Sequence, residues 1–255
     1  MSSKFYSTDI VNGIAYFSDE DIKHMLGSLR LTDGENIIVM TSGSIDEDYP
    51  NGMAFNAELM VDGKTAVARL LDSVDLWEYP WEITLFQGLP KGDKLEFVVQ
   101  KSTELGVSEI IPVEFAFSIA KWKDPKGQKL SRLEKIALSA GKQSGRLSLP
   151  VVQGAISYSN MVERLTEYDY VFACYENESK IDMAVAVEQI SNKPAKVAVI
   201  IGPEGGWKQE EMDLLGEKAV VVGLGPFILR TETAALVAVT TILNEYRMRG
   251  IHEQG

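Results

Sequence analysis

The sequence predicts an α/β protein in two parts: a small β-barrel over residues 1–75, then a mainly parallel sheet with helices on both faces over residues 76–255. Two observations predict it. The first part consists of short apolar runs broken by turn residues, the pattern of a small barrel. From residue 83 onward, near-continuous apolar runs alternate with helical patterns, as expected for strands buried on both faces. A chain of 255 residues with 45% hydrophobic content is large enough to bury such cores.

In the first part, GIAYF, NIIVMT, FNAELMV and AVARLL read as strands, with Asp-Gly turns at 33–34 and 62–63 and the loop SGSIDEDYPNG between them. DEDIKHMLGSLRL reads as a helix opening at Ser18, with Ile22, Met25, Leu26 and Leu29 on one face. DSVDLWEYPWE (72–82) is the junction. Beyond it EITLFQGL, SEIIPVEF, YDYVFACYE, KVAVIIG and AVVVGLG read as strands. KLEFVVQKSTELG, KLSRLEKIALSAGKQSG, IDMAVAVEQI, KQEEMDLLGEKA and TETAALVAVTTILNEYRMR read as helices. The basic helix is amphipathic, with Leu130, Leu133, Ile136, Ala137 and Ala140 on its apolar side. The last helix is apolar nearly all round, which predicts burial by its own sheet and by a second surface such as another subunit.

Composition excludes several classes. Cys174 is the sole cysteine, so there is no intrachain disulfide and no cysteine-rich zinc site. With only two histidines, no metal centre is predicted. No run approaches the roughly 18–20 apolar residues of a membrane span, and MSSKFYSTDIV lacks an apolar secretion signal, so a cytoplasmic location without membrane partners is expected. The net charge of −12 argues, taken whole, against a polyanionic partner. Its distribution argues the other way. Residues 1–75 carry −8 and residues 151–255 carry −6, while residues 76–150 carry +2. Within that middle third, KWKDPKGQKLSRLEKIALSAGKQSGR (121–146) holds 8 basic and 2 acidic residues. Lys142 and Arg146 share a helix face with Lys135, and Lys121 and Lys123 flank Trp122. Cations beside an aromatic suit phosphates and unpaired bases, so an RNA contact is preferred here over a merely solvated face.

Three segments point to a ligand. VIIGPEGGW (199–207) follows a strand, and in an open parallel sheet ligands bind beyond the carboxyl ends of strands. Its glycines allow a close backbone approach; the bland alternative is a tight turn that holds nothing. A phosphate there would meet Glu204, Glu210 and Glu211, and the P-loop spacing and lysine are missing. GLGPFI (223–228) nearly matches the dinucleotide fingerprint but has no following strand carrying an acid for the ribose. In ILRTETAALVAV (228–239), Thr231 is expected to cap the helix, with Glu232 in its first turn and Arg230 at the mouth. The alternative for Arg230 and Glu232 is a surface ion pair.

LFQGLPKGDKLEFVVQKSTELGVSEIIPV, ALSAGKQSGRLSLP, IGPEGGW and LGPFILRTETAAL occur here in the order found in the RsmE-type ribosomal RNA methyltransferases of the SPOUT class. The chain resembles that family over nearly its whole length. The resemblance implies methylation of uracil N3 in 16S rRNA with S-adenosyl-L-methionine, a PUA-like N-terminal barrel, a C-terminal trefoil knot and a homodimer. It also implies that Ile201, Gly202, Pro203 and Gly206 lie against the cofactor. Leu224, Gly225, Ile228, Leu229 and Thr231 are then a second wall, and Tyr175 and Glu176 a third edge. Uracil N3–H is a weakly acidic imide, so a site for it needs a group for the developing charge, here Arg230, and one for the proton, here Glu204 or Glu232. His24, Arg30, Lys91, Lys101, Lys121, Lys123, Lys142, Gln143 and Arg146 are the expected RNA contacts, made to 16S rRNA or the small ribosomal subunit. The chain departs from the family pattern at Phe227, at Phe117-Ser118-Ile119, at Lys23-His24 and at Lys142. Competing readings are a SPOUT methyltransferase for tRNA or a ribose 2′-hydroxyl, and a non-catalytic RNA-binding module of ribosome assembly.

Overall fold

Val197, Val199 and Ile201 belong to one buried cluster and Ala198 and Ile200 to another, so a single strand feeds two cores with alternate residues. This is the sandwiched sheet the apolar runs predict, seen in a computed structural model that describes residues 3–7, 9–41, 49, 52–75, 79–178 and 180–249. The chain forms two compact units, Met1–Glu78 with Gly141–Leu149, and Tyr79–Ala140 with Pro150–Gly255.

In the first unit the described elements are β1 (Lys4–Ser7), β2 (Asp9–Val11), β3 (Ile14–Tyr16), α1 (Asp19–Lys23), β4 (Asn36–Thr41), β5 (Ala54–Asp62) and β6 (Thr65–Ser73). They make a six-stranded sheet in the order β1-β4-β5-β6-β3-β2, antiparallel except for the β1–β4 pair. Its outer strands β1 and β2 are one residue apart in sequence, so the sheet has to curl. Ser7 Oγ ties the two together by donating towards the carbonyls of Asp9, at 2.8 Å, and Tyr16, at 2.6 Å. Met25, Val39, Ala57, Leu59 and Ala68 fill the inside. The Asp62-Gly63 turn joins β5 to β6, with Gly63 at φ 61°, as the sequence predicts. Two short strands, β1 and β2, are additions to the predicted set. The loop read over 42–52 lies outside the described residues except for Tyr49 and Gly52.

Ser18 caps α1 as expected, accepting from the Asp21 amide at 3.2 Å. The helix then opens into a π-helical turn over His24–Ser28. That wider turn rotates later residues off the 3.6-residue stripe. Met25 is therefore fully buried while Leu29, placed on the same face by α spacing, is exposed. Residues 141–149, read from sequence as part of the C-terminal region, pack with the first unit. Lys142 Nζ meets both carboxylate oxygens of Asp21 at 2.7 and 2.8 Å, and the Tyr6 hydroxyl donates to the Arg146 carbonyl.

The second unit contains β7 (Trp81–Gly88), α2 (Lys94–Leu105), β8 (Glu109–Glu114), most of α3 (Gln128–Ser144), β9 (Val151–Val152), β10 (Ile156–Ser157), α4 (Tyr158–Arg164), β11 (Tyr170–Cys174), α5 (Met183–Ala186), β12 (Ala195–Ile201), α6 (Gln209–Leu215), β13 (Val220–Val222) and α7 (Thr231–Met248). The sheet runs β10-β8-β7-β12-β11-β13, with β9 beside β8, and every pairing is parallel. Leu133, Ala137, Val239 and Ile242 cover one face, and Tyr158, Met161 and Leu215 cover the other. Burying each large side chain stabilises by roughly 1.5–3 kcal/mol. Helix α2 ends where its sequence says it should, at Gly106 with φ 116°. IDMAVAVEQI forms only the short α5 and a 3-10 turn over Val187–Gln189. Among the described residues, no helix is long and apolar enough to cross a membrane.

Candidate active site

Parallel pairing sends the loops after β7, β11, β12 and β13 out at one edge of the sheet. Helix α7 begins at that edge. Between these loops lies a cavity of about 580 Å³. Ile201, Gly202, Pro203, Glu204 and Gly206 line it from the loop after β12, and Tyr175 and Glu176 from the loop after β11. Leu224, Gly225, Ile228, Leu229, Arg230 and Thr231 line it from the segment entering α7. Every residue that the resemblance assigned to a cofactor wall therefore borders one hollow. Among the carboxylates, Glu204 lines the cavity and Glu232 stands behind its wall, 15% exposed.

The glycines are explained by the protein's own close packing. A Cβ on Gly88 would lie 2.5 Å from the Pro203 nitrogen, one on Gly202 would lie 2.4 Å from Trp207 Nε1, and one on Gly223 would lie 2.4 Å from the Glu178 carbonyl oxygen. The loops interlock too closely for side chains. At Gly223 the contact is tightened by hydrogen bonds: its amide donates to the Ile181 carbonyl at 2.8 Å and its carbonyl accepts from Met183 at 3.0 Å. Gly206, at φ 75°, also faces Glu176 Oε1, 2.7 Å from its notional Cβ. Gly225 differs. It holds φ 97° with nothing near its missing Cβ, leaving bare backbone at the cavity wall.

Thr231 is not the helix cap that the spacing predicts. Arg230 occupies the cap position without a side-chain cap bond, and Thr231 is the first helical residue. Its hydroxyl donates to the Gly202 carbonyl at 2.8 Å and accepts from Gln87 Nε2 at 2.8 Å. The capping role fails because the hydroxyl is already committed to this three-element latch between β7, the loop after β12 and α7.

Lys94, first residue of α2, also enters the cavity wall. Its ammonium contacts a Glu204 carboxylate oxygen and lies 3.3 Å from Glu232 Oε2. The hydrogen bond from Lys94 holds the Glu204 carboxyl below its ordinary value, and Lys91 acts in the same direction against some desolvation. The same bond to Glu204 pushes Lys94 upward, so the pair is fully charged near neutrality. Glu232 pairs with Lys94 rather than Arg230. Among the described residues no ion pair holds Arg230, whose exposed side chain borders the cavity.

The expected RNA contacts are spread over both units. In the second, Lys91 lines the cavity, Lys101 pairs with Glu104 at 2.8 Å, Lys121 pairs with Glu114 at 3.5 Å, and Lys123 is exposed. Trp122 does not stand open between its lysines. It is half-buried, with Lys129 Nζ 4.3 Å from its ring centroid. In the first unit Gln143, His24 and Arg30 are exposed, and Arg30 adopts φ 56°. Lys142 is committed to Asp21, and the Arg146 carbonyl to Tyr6.

Residues 77–243 match the RNA methyltransferase domain family. The chain belongs to this family. It is 35% identical to the ribosomal RNA small subunit methyltransferase E of Bacillus subtilis (strain 168), over 88% of this chain and 87% of that protein. It is 30% identical to the protein of the same name from Synechocystis, over 91% of this chain and 74% of that one. The crystal structure of ribosomal RNA small subunit methyltransferase E from Neisseria gonorrhoeae bound to S-adenosyl methionine superposes with a TM-score of 0.77 at 30% identity, covering 96% of this chain and 98% of that one. For an RNA methyltransferase, the residues that sequence reasoning missed are Gln87, Lys94, Trp207 and Gly223. Gln87 and Lys94 flank the end of β7, and only the strand order reveals that β7 adjoins β12. Trp207 lies in the IGPEGGW motif, whose spacing carries no signal for its role. Its buried Nε1–H has no hydrogen-bond partner among the described residues.

Proposed function

We propose that this RNA methyltransferase transfers a methyl group from S-adenosyl-L-methionine to N3 of a uridine in the 16S rRNA of the small ribosomal subunit. The observation that carries the reading is the cavity shared by these loops, with Arg230 at its wall and, among the described residues, in no ion pair. Its volume of about 580 Å³ suits a molecule of the cofactor's size. Bare backbone at Gly225 and the orphaned Trp207 N–H beside Gly202 fit a ligand with a flat base and polar groups. Ile201, Gly202, Pro203, Gly206, Leu224, Gly225, Ile228, Leu229, Thr231, Tyr175 and Glu176 are the proposed contacts. When bound, S-adenosyl-L-methionine supplies a methyl carbon made electrophilic by its sulfonium.

The protein's work is then to make uracil N3 nucleophilic. Loss of the N3 proton spreads negative charge over N3 and the two flanking oxygens. The Arg230 guanidinium, with donors in a fixed fork and no carboxylate on it, is the group that stabilises this charge. Glu204, on the cavity wall, is the proposed proton acceptor, a role that supplies about 10²–10⁴-fold where geometry is good. Enclosure between loops holds donor and base in line. The proposed phosphate contacts are Lys91, Lys101, Lys121 and Lys123 in the second unit and, taken separately, His24, Arg30, Lys142, Gln143 and Arg146 in the first. A homodimer through α7 is proposed as well, since the helix is apolar nearly all round and Val237, opposite its core residues, is only half-buried.

Nucleoside mass spectrometry of 16S rRNA from cells lacking the gene tests the reading: 3-methyluridine is lost and returns with the wild-type gene but not with Arg230→Ala. Retention of 3-methyluridine in the deleted strain ends it.

A further inference from the structure

Arg230 and Glu232 stand two residues apart at the start of α7, where the sequence leaves a surface ion pair between them open. Here that pairing does not occur. Glu232 turns to Lys94, which also holds Glu204, and Arg230 is left facing the cavity. One ammonium thus holds two carboxylates, Glu204 and Glu232. We infer that Lys94 is a positioning residue for methyl transfer, binding Glu232 and Glu204 so that neither carboxylate quenches Arg230. This rests on the proposed function and extends it to a residue outside the cofactor and RNA sets.

The surrounding charges make the inference specific. Four elements contribute: Lys91 and Lys94 at the start of α2, Glu204 after β12, Arg230 and Glu232 at α7, and Glu176 and Glu178 across the cavity from the loop after β11. Glu204 has a second cation, because Lys91 supplies a backbone hydrogen bond and a favourable charge. Glu232 has no such reserve. Its buried Oε2 makes no hydrogen bond, and Lys94 at 3.3 Å is its ion partner. Without Lys94, Glu204 stays anchored to Lys91 while Glu232 is left largely buried and uncompensated, with Arg230 as the nearest cation in sequence. A guanidinium paired to that carboxylate loses the charge and the donors it offers to the uracil anion. Glu232 accordingly acts through Lys94 and does not touch substrate.

The test is a double-variant rescue in single-turnover methylation of 16S rRNA, with S-adenosyl-L-methionine affinity measured by calorimetry. Lys94→Met lowers the methyl-transfer rate at least about ten-fold while the cofactor Kd moves less than about three-fold. Lys94→Arg keeps the rate within about three-fold, because the cation is retained. Adding Glu232→Gln to Lys94→Met restores at least about five-fold of the loss, because the quenching charge is gone. A second readout needs no catalysis: the Arg230 Nε resonance in ¹⁵N NMR, assigned through Arg230→Lys, shifts in Lys94→Met and returns in the double variant. A merely structural lysine gives no rescue from Glu232→Gln and no such return, and either result overturns the inference. Failure of the wild type to make 3-methyluridine instead removes the proposed function, and the NMR arm still decides what Lys94 does to Arg230.

Discussion

Thr231 donates its hydroxyl to the carbonyl of Gly202 at 2.8 Å, across 29 residues of sequence. With Gln87 donating to the same hydroxyl, it is the pin that fixes the start of α7 against the loop after β12. Thr231→Val keeps shape and burial but leaves the Gly202 carbonyl without its hydroxyl donor and Gln87 with only its bond to the Gly88 carbonyl. An orphaned buried group costs about 1–3 kcal/mol. The expected outcome is a lower Tm together with weaker S-adenosyl-L-methionine binding by calorimetry, whereas Thr231→Ser, which keeps the hydroxyl, preserves both. Equal behaviour of the Val and Ser variants contradicts the latch.

The glycines separate into two kinds, and substitution distinguishes them. At Gly223 a methyl group meets the Glu178 carbonyl oxygen at 2.4 Å, a backbone atom held by neighbouring hydrogen bonds. Gly223→Ala therefore pushes apart the loops after β11 and β13, and cofactor affinity falls by more than about ten-fold. At Gly225 a methyl group meets nothing. Gly225→Ala costs only the strain of a left-handed backbone, about 1 kcal/mol, unless a ligand lies against it. A larger affinity loss than stability loss in Gly225→Ala is the sign that the cofactor lies there.

Much of this architecture was legible in the chain. The alternation of apolar strands with helices follows from burial of both sheet faces, and the loops that line the cavity are marked by glycines between such strands. What could not be read is lateral adjacency. Nothing in KGDKLE shows that Lys94 meets Glu204, because the meeting depends on β7 lying beside β12 in the sheet. The same limit explains Thr231, whose preference for capping yields to partners contributed by β7 and by the loop after β12. The basic segment 121–146 misled in a different way. Charge density predicts a positive face, but it does not say which lysines already have partners.

Lys142 is such a case. Its ammonium lies 2.7 Å from Asp21, and the two side chains are 30% and 11% exposed. Lys142→Glu therefore acts first on stability: it sets a second carboxylate against a largely buried one, at a cost on the order of 2 kcal/mol or more. The Tm of Lys142→Glu drops, and Asp21→Asn in the same background recovers most of it. Gln143→Glu, at an exposed neighbouring position, leaves Tm nearly unchanged. Any loss of rRNA affinity in Gln143→Glu then reports the surface itself, free of unfolding.

Acid separates the Lys94 clamp from the rest of the molecule. The Glu204 carboxyl is held below its ordinary 4.5 by the hydrogen bond from Lys94, with Lys91 assisting. A carboxyl depressed in the folded state contributes stability that is present above its unfolded value and lost as pH falls through its folded value. The window therefore opens near pH 4.5 and extends below it. Glu35, Asp124 and Glu210 are lowered as well, so total acid sensitivity does not isolate the clamp. A difference does. Glu204→Gln is less stable than wild type at neutral pH, and the gap narrows as pH drops from about 5 to about 3, because protonation removes the same charge that the substitution removes. Since Glu204 is 26% exposed, solvent screening keeps the gap small, and it shrinks further in concentrated salt. Thermal melts of the two proteins across that range provide the measurement. A gap that stays constant with pH means that the Glu204 side chain matters for packing alone, and that its charge is not what binds Lys94 to the loop.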